Sequence, residues 1–146
     1  MRTETSRDYL TLASWLQAQV AGKDLVLRGE TALKYLDIFG GHVEEDEIDV
    51  YSKGPGVFEN VSYRVVESFD GIDFFGDEHG VLCSTASQAF NDIFSDNEYP
   101  YVQALIEGLS DYYHANGNSF GGLSIKPENL DKFKLIERDA VDFYDH

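Results

Sequence analysis

Glu47 and Asp49 are two acidic residues one position apart, and their spacing could support metal-dependent chemistry. They follow an apolar run, a glycine at Gly29 and a predicted helix. Alternate residues of a β-strand point to the same face, so both carboxylates would lie together if this segment is a strand. Carboxylate oxygens bind Mg²⁺ together with the oxygens of a triphosphate. With Asp73 as a third carboxylate, the pattern indicates Mg²⁺-dependent nucleotidyl transfer as one interpretation.

Two features of the same stretch oppose that interpretation. Glu30 follows Gly29 directly, so a carboxylate occupies the turn at which a phosphate would approach the backbone. The chain also has a formal net charge of −16, which repels a nucleotide unless bound metal offsets it locally. A small nucleotidyltransferase that uses Glu47, Asp49 and Asp73 is therefore the alternative hypothesis and not the leading one.

The remaining residue types that could do chemistry lack a supporting pattern. The four histidines, at positions 42, 79, 114 and 146, are scattered without the spacing of a metal site. Cys83 is the only cysteine, so no disulfide framework forms within the chain, and no nucleophile elbow surrounds it. The leading hypothesis therefore includes no catalytic residue, no metal and no cofactor.

The hydrophobic pattern predicts the elements that would position the acidic pair. Apolar residues at three- and four-residue spacing predict an N-terminal helix over Ser6–Ala21. Leu25–Leu27 predicts a buried strand, Glu30–Phe39 a helix, and Ile48–Ser52 a strand with one buried face. The acidic residues 44–47 are expected to form a solvated loop before that second strand.

Further strands and then helices are predicted after this unit. The strands are expected at Ser62–Ser68 and in a hairpin formed by Ile72–Phe75 and Gly80–Cys83. The helices are expected from a cap at Thr85, from Pro100 to Asn116, and from Pro127 to Phe143. The predicted fold class is α+β, a small mixed or antiparallel sheet with an N-terminal helix and a helical C-terminal half.

Length and charge limit the classes of function. A chain of 146 residues fits one domain, residues 1–146, with a buried core. Asp and Glu number 27 against 11 Lys and Arg, and such an acidic chain repels a phosphate backbone, so direct nucleic-acid binding is not expected. No apolar run could span a bilayer and no signal-peptide core is present, so a cytoplasmic protein without membrane contact is expected.

Several segments between Leu25 and Phe94 resemble the C-terminal region of AbiE-type antitoxins, the AbiEi side of type IV toxin–antitoxin and phage abortive-infection systems. The matching segments are Thr31–Leu33 with Phe39-Gly40, then Ile48–Val50, then Val61–Val66 with Ile72–Phe75. The most telling match is Gly80–Thr85 running into Gln88–Ile93, which looks like the family's apolar strand, Ser/Thr turn and following helix.

The resemblance implies a non-catalytic protein that binds and neutralises a nucleotidyltransferase-type toxin or a related effector. Its acidity suits a basic partner that uses nucleic acid. These antitoxins usually carry an N-terminal winged helix for operator binding, and a single helix is predicted before Leu25, so no DNA-binding role is expected. The predicted contact residues lie beside the central helix and in the acidic loop, namely Arg28, Glu30, Lys34, Glu44, Glu45 and Asp46. A third hypothesis, an acidic DNA mimic that inhibits another protein, depends on charge alone.

Overall fold

The chain has an α+β fold, as predicted, in which a mixed sheet precedes a helical C-terminal half. The computed structural model describes residue 20 and residues 22–39, 48–56 and 61–145. The predicted N-terminal helix lies outside the described residues except for Val20, which is helical and buried. The predicted acidic loop at residues 44–47 lies outside them as well.

The described part of the chain contains five strands and four longer helices. The strands are β1 (Leu25–Leu27), β2 (Ile48–Ser52), β3 (Val61–Val65), β4 (Phe74–Gly76) and β5 (Leu82–Ser84). The helices are α1 (Gly29–Tyr35), α2 (Ala86–Asp96), α3 (Gln103–Ala115) and α4 (Leu130–Val141), with short 3₁₀ turns at Pro127–Asn129 and Phe143–Asp145.

Strand β1 lies at the centre of the sheet, whose order is β3-β2-β1-β5-β4. It is antiparallel to β2 and parallel to β5, whereas β3 is parallel to β2. Strands β4 and β5 form the predicted antiparallel hairpin. In its turn, Oδ1 of Asp77 accepts hydrogen bonds from the amides of His79 and Val81. The sheet is therefore mixed, and the segment Leu25–Leu27 is its middle strand.

Strand alternation separates two faces of the sheet. Leu27, Val50 and Cys83 lie side by side in the register and are completely buried. They belong to the hydrophobic core, which also contains Leu33 from α1 and Phe90 from α2. Because side chains alternate along a strand, the neighbouring residues of β1 and β2 point to the opposite face of the sheet. Several of these residues are polar. That polar face contains the candidate site described below.

Three predicted helix boundaries are wrong, each for a local reason. Helix α1 ends at Tyr35 and not at Phe39, because Asp37 adopts a left-handed conformation (φ 60°) and the amide of Ile38 donates to the carbonyl of Leu33. Pro100 is buried in a connection, and α3 begins at Gln103. The turn at Pro127 is 3₁₀, and α4 begins after it.

Candidate functional site

Arg28 directly follows β1, and its side chain lies inside the protein although it carries a charge. Its backbone N–H donates to the carbonyl of Asp49 at 3.0 Å, which continues the pairing of β1 with β2. Its guanidinium donates from Nη1 to Oδ2 of Asp49 and from Nη2 to Oδ2 of Asp96, both at 2.8 Å. The Cζ atom lies 4.9 Å from the centre of the Tyr51 ring. Arg28 therefore joins β1, β2 and α2.

Asp92 lies one helical turn before Asp96 and contributes a second carboxylate from α2. Its Oδ1 accepts hydrogen bonds from the Tyr51 hydroxyl at 2.7 Å and from Nε2 of Gln88 at 3.0 Å. Its Oδ2 lies 3.8 Å from Nε of Arg28, and neither atom has a hydrogen-bond partner within the described residues. The name arginine cluster is used below for the residues Arg28, Asp49, Tyr51, Asp92 and Asp96.

Burial and ion pairing together shift the pKa values of the arginine cluster. Burial raises the pKa of Asp49 and of Asp92 above the usual aspartate range, and the charge of Arg28 opposes the rise in both. Burial alone would lower the pKa of Arg28, but the attraction of Asp49 and the hydrogen bond to Asp96 outweigh it, so that pKa is raised. Arg28 thus lies near three carboxylates, and their negative charges together favour its protonated form.

The cluster has the properties of a structural ion-pair network. The Arg28 side chain is 3% exposed, and the Asp49 side chain is 35% exposed. At its outer edge, Nη2 of Arg64 lies 3.1 Å from Oδ1 of Asp96, and Arg64 is half exposed. Buried charges are costly unless they are paired, so these contacts favour the folded arrangement of β1, β2 and α2. Asp49 is consequently bound to an internal cation.

The carboxylates predicted for Mg²⁺ do not form a common site among the residues that the structure describes. Asp73 precedes β4, which lies three strands away from β2, or about 14 Å at the usual strand spacing. Its Oδ2 accepts a hydrogen bond from Thr85 at 2.8 Å, so it supports the start of α2. On β3, the residues paired with Asp49 and Tyr51 are Ser62 and Arg64, neither of which is acidic. Glu47 lies outside the described residues.

The residues predicted to contact a partner have different environments. The prediction for Arg28 is corrected, because a guanidinium that is buried and bonded to internal acids offers no contact surface. Glu30 is exposed, and Oε1 lies 3.8 Å from Nζ of Lys34. The Lys34 side chain is 12% exposed, with Nζ 5.6 Å from the centre of the Phe39 ring. The predicted residues 44–46 lie outside the described part.

Gly29 has a conformation that explains why glycine occurs between Arg28 and Glu30. Its φ is +54°, a left-handed value that other residues rarely adopt. A Cβ at this position would lie 3.4 Å from Oδ2 of Asp49, the atom that receives Nη1 of Arg28. The turn therefore brings the backbone close to Asp49, and Thr31 Oγ1 accepts a hydrogen bond from the Asp49 amide at 2.9 Å.

Cys83 and Thr85 have structural environments. Burial raises the pKa of the Cys83 thiol to about 12, so the reactive thiolate is suppressed. Thr85 caps α2, as predicted from its spacing to Gln88, because Oγ1 accepts a hydrogen bond from the Gln88 amide at 3.3 Å. Both residues, which lie at the junction between β5 and α2, therefore have structural roles.

Neither of the two described histidines belongs to a metal-binding group. Nε2 of His79 lies 3.6 Å from Oε1 of Glu78, and Nδ1 of His114 lies 2.8 Å from the carbonyl of Ser110. Within residues 22–39, 48–56 and 61–145, no three histidine, cysteine or acidic side chains are arranged to hold a metal ion. His42 and His146 lie outside this part of the chain.

A shallow cleft of about 420 Å³ opens where β1 begins and β2 ends. Its cationic residues include Lys53, whose Nζ lies 3.3 Å from Oδ2 of Asp24 and 5.0 Å from the centre of the Phe69 ring. None of the predicted site residues lines the cleft, and Lys53 is already paired with Asp24. The arginine cluster is therefore the better-organised polar assembly.

Asp92, Asp96 and Tyr51 were not predicted as members of a site, although a signal for them exists. Arg28 directly follows an apolar strand, and a buried arginine requires acidic partners. Two aspartates four residues apart on helix α2 are suitable partners, because residues at that spacing share a helix face. Tyr51 can be assigned to the site only from the register of the strands in the structure.

Comparison of the chain with protein-family models, with curated proteins and with solved structures finds no match. Within the described residues, no helix combines the length and apolar character needed to cross a membrane. The fold and the site define an α+β domain with a buried arginine that is paired with acidic side chains from β2 and α2.

Proposed function

We propose that this chain is a non-enzymatic interaction protein of the antitoxin type, which binds and neutralises a nucleotidyltransferase-type toxin or a related effector. The observation that carries the proposal is the contact between Arg28 and Asp49. Asp49 is the acid that metal-dependent transfer would need, and its Oδ2 lies 2.8 Å from an arginine nitrogen. A cation at that distance competes directly with Mg²⁺ for the carboxylate.

The similarity to AbiE-type antitoxins supports the same proposal. The junction from β5 into α2 has the expected strand, threonine cap and helix, with Asp92 and Ile93 both buried on α2. These contacts hold β5 and α2 together. The proposed activity is consequently the presentation of a surface to another protein.

The charge of the chain favours a basic partner. The formal net charge is −16, and no lysine or arginine occurs between Arg64 and Lys126. An acidic surface accelerates the encounter with a basic protein and discourages binding to nucleic acid. A toxin that handles nucleic acid through a basic surface would meet both conditions.

Co-expression with the product of the adjacent gene tests the proposal. The chain should suppress the growth defect caused by that product and should co-purify with it in a stable complex. Glu98→Lys and Lys134→Glu variants, which reverse charge at two exposed positions, would show whether suppression responds to acidity. A chain that neither binds this product nor relieves its toxicity is not an antitoxin for it.

A small nucleotidyltransferase is the second proposal, and the position of Gly29 favours it. A Cβ there would lie 3.4 Å from Oδ2 of Asp49, so a turn and an acidic strand do approach each other. Calorimetry with Mg²⁺ and each nucleoside triphosphate distinguishes the two proposals. Binding heat that disappears in Asp49→Asn but persists in Asp73→Asn would support nucleotide binding at this turn. Absence of heat with the wild-type chain would remove that alternative.

A further inference from the structure

Tyr99 and Tyr101 are the most prominent aromatic side chains on the connection between α2 and α3. They are 73% and 57% exposed, whereas Pro100 between them is buried. Tyrosine offers a large apolar contact area with a polar end, and it is enriched where proteins bind one another. Two such rings on either side of an anchored proline form an exposed aromatic pair.

The backbone beneath this pair is well supported. Nζ of Lys132 donates to the carbonyls of Phe94 and Asn97, at 2.7 Å and 2.8 Å, and so ties α4 to the end of α2. Nδ2 of Asn97 donates to the carbonyl of Ile93 at 2.7 Å. A rigid support lowers the entropy lost on binding, so exposed tyrosines here are well placed for recognition.

Neither exposed ring is used by the fold in the described part of the chain. Tyr99 and Tyr101 make no hydrogen bond and no contact with another aromatic ring there. Tyr144, which is also 57% exposed, differs from them because its hydroxyl donates to Oδ1 of Asp111 at 2.6 Å and its ring contacts His114. The exposure of the pair is therefore not compensated by internal contacts.

The exposed charge directly beside the pair is acidic. Glu98 is exposed beside Tyr99 and forms no ion pair within the described residues. Asp96 is already paired with Arg28 and Arg64, and the Lys132 amine is held by backbone carbonyls. Glu98 is therefore the exposed charge on this connection, whereas the Lys132 ammonium keeps its positive charge where it donates to the carbonyls of Phe94 and Asn97.

We propose that Glu98, Tyr99 and Tyr101 form a docking surface for an arginine-bearing, basic surface of a protein partner. A guanidinium can stack on a tyrosine face and pair with a carboxylate at the same time. The inference rests on the proposed function and identifies the surface through which that binding would occur. Nucleic acid is disfavoured, because a base that stacked on the rings would bring its phosphate towards Glu98 and an acidic chain.

A titration of the full, isotopically labelled chain with an arginine–serine peptide tests the surface without a known partner. Amide shifts should be largest from Asn97 to Gln103. A Tyr99→Ala/Tyr101→Ala double variant should bind the peptide about tenfold more weakly or worse, which is typical of aromatic hot spots. Leu135→Ala, which removes a side chain that is 59% exposed on α4, is the matched control and should bind within about twofold of wild type.

Each contrary result overturns the docking surface. These results are shifts centred elsewhere, unchanged affinity in the double variant, or the same shifts with a single-stranded oligonucleotide. The adjacent gene product then separates this inference from the proposed function. A complex whose affinity is unchanged by the double substitution rejects the surface and leaves antitoxin activity standing. Failure of the wild-type chain to bind that product rejects the antitoxin, while the peptide titration still decides the surface.

Discussion

Nη1 of Arg28 lies 2.8 Å from Oδ2 of Asp49, and this contact joins the residue after the central strand to the acidic position of β2. The same guanidinium reaches Asp96 on α2, which follows 68 residues later in the chain. A single buried cation thus connects segments that are distant in sequence. An aspartate that is paired with a buried arginine contributes to the stability of the fold.

Arg28→Met is expected to lower the free energy of unfolding by about 3–5 kcal/mol, because it leaves the buried Asp92 and the partly exposed Asp49 and Asp96 without the Arg28 cation. Guanidinium denaturation followed by circular dichroism would measure the change. Arg138→Met is the matched control, since its parent side chain is 92% exposed and pairs with Asp142, the residue that follows the same helix. The control should change stability by less than about 0.5 kcal/mol. Equal effects of the two substitutions would contradict the structural role of the cluster.

Asp92 is expected to stabilise the fold less as the pH rises. Burial raises its pKa, so the folded chain retains that proton more tightly than the unfolded chain does. Its contribution to the free energy of unfolding therefore decreases from the ordinary value of 3.8 upwards, through the raised pKa. Denaturation of wild type and Asp92→Asn between about pH 3 and pH 7 measures this as a shrinking difference. A difference that grows with pH would contradict the assigned direction.

Asp77 is expected to show the opposite dependence. Burial would raise its pKa, but hydrogen bonds from the Tyr35 hydroxyl and from the amides of Val81 and His79 outweigh it and lower the pKa. Its stabilising contribution is complete above 3.8 and is lost as the pH falls through the lowered pKa. The difference between wild type and Asp77→Asn should therefore increase with pH over the same titration. If the stability curves of wild type and Asp77→Asn run parallel with pH, the hydrogen-bonded role of Asp77 is rejected.

The parts of the fold that could be predicted from the sequence are those with local signals. The alternation at Ile48–Ser52, the hairpin around Asp77 and the cap at Thr85 each depend on residues a few positions apart. The end of α1 was missed because Asp37 adopts a conformation more typical of glycine, so the Gly40 signal comes too late. No local sequence rule joins Arg28 to Asp96. The arginine cluster therefore becomes visible only in the three-dimensional structure.

Cys83 should be unreactive towards a disulfide reagent in the folded chain. With a pKa of about 12, only about one thiol in ten thousand is ionised at pH 8, and the side chain is buried. Absorbance of the released thiolate should show very slow labelling under native conditions and complete labelling within minutes in guanidinium. Rapid stoichiometric reaction of the native chain would contradict the burial of Cys83.

Thr85→Ala should lower the free energy of unfolding by about 1 kcal/mol, which is typical for loss of a helix cap. The Thr85 hydroxyl accepts a hydrogen bond from the Gln88 amide at 3.3 Å and donates one to Oδ2 of Asp73 at 2.8 Å. Thr85→Ser keeps both hydrogen bonds and is the control, so it should retain most of the stability in the same denaturation experiment. If serine loses as much stability as alanine, the hydroxyl is not what connects α2 to the start of β4.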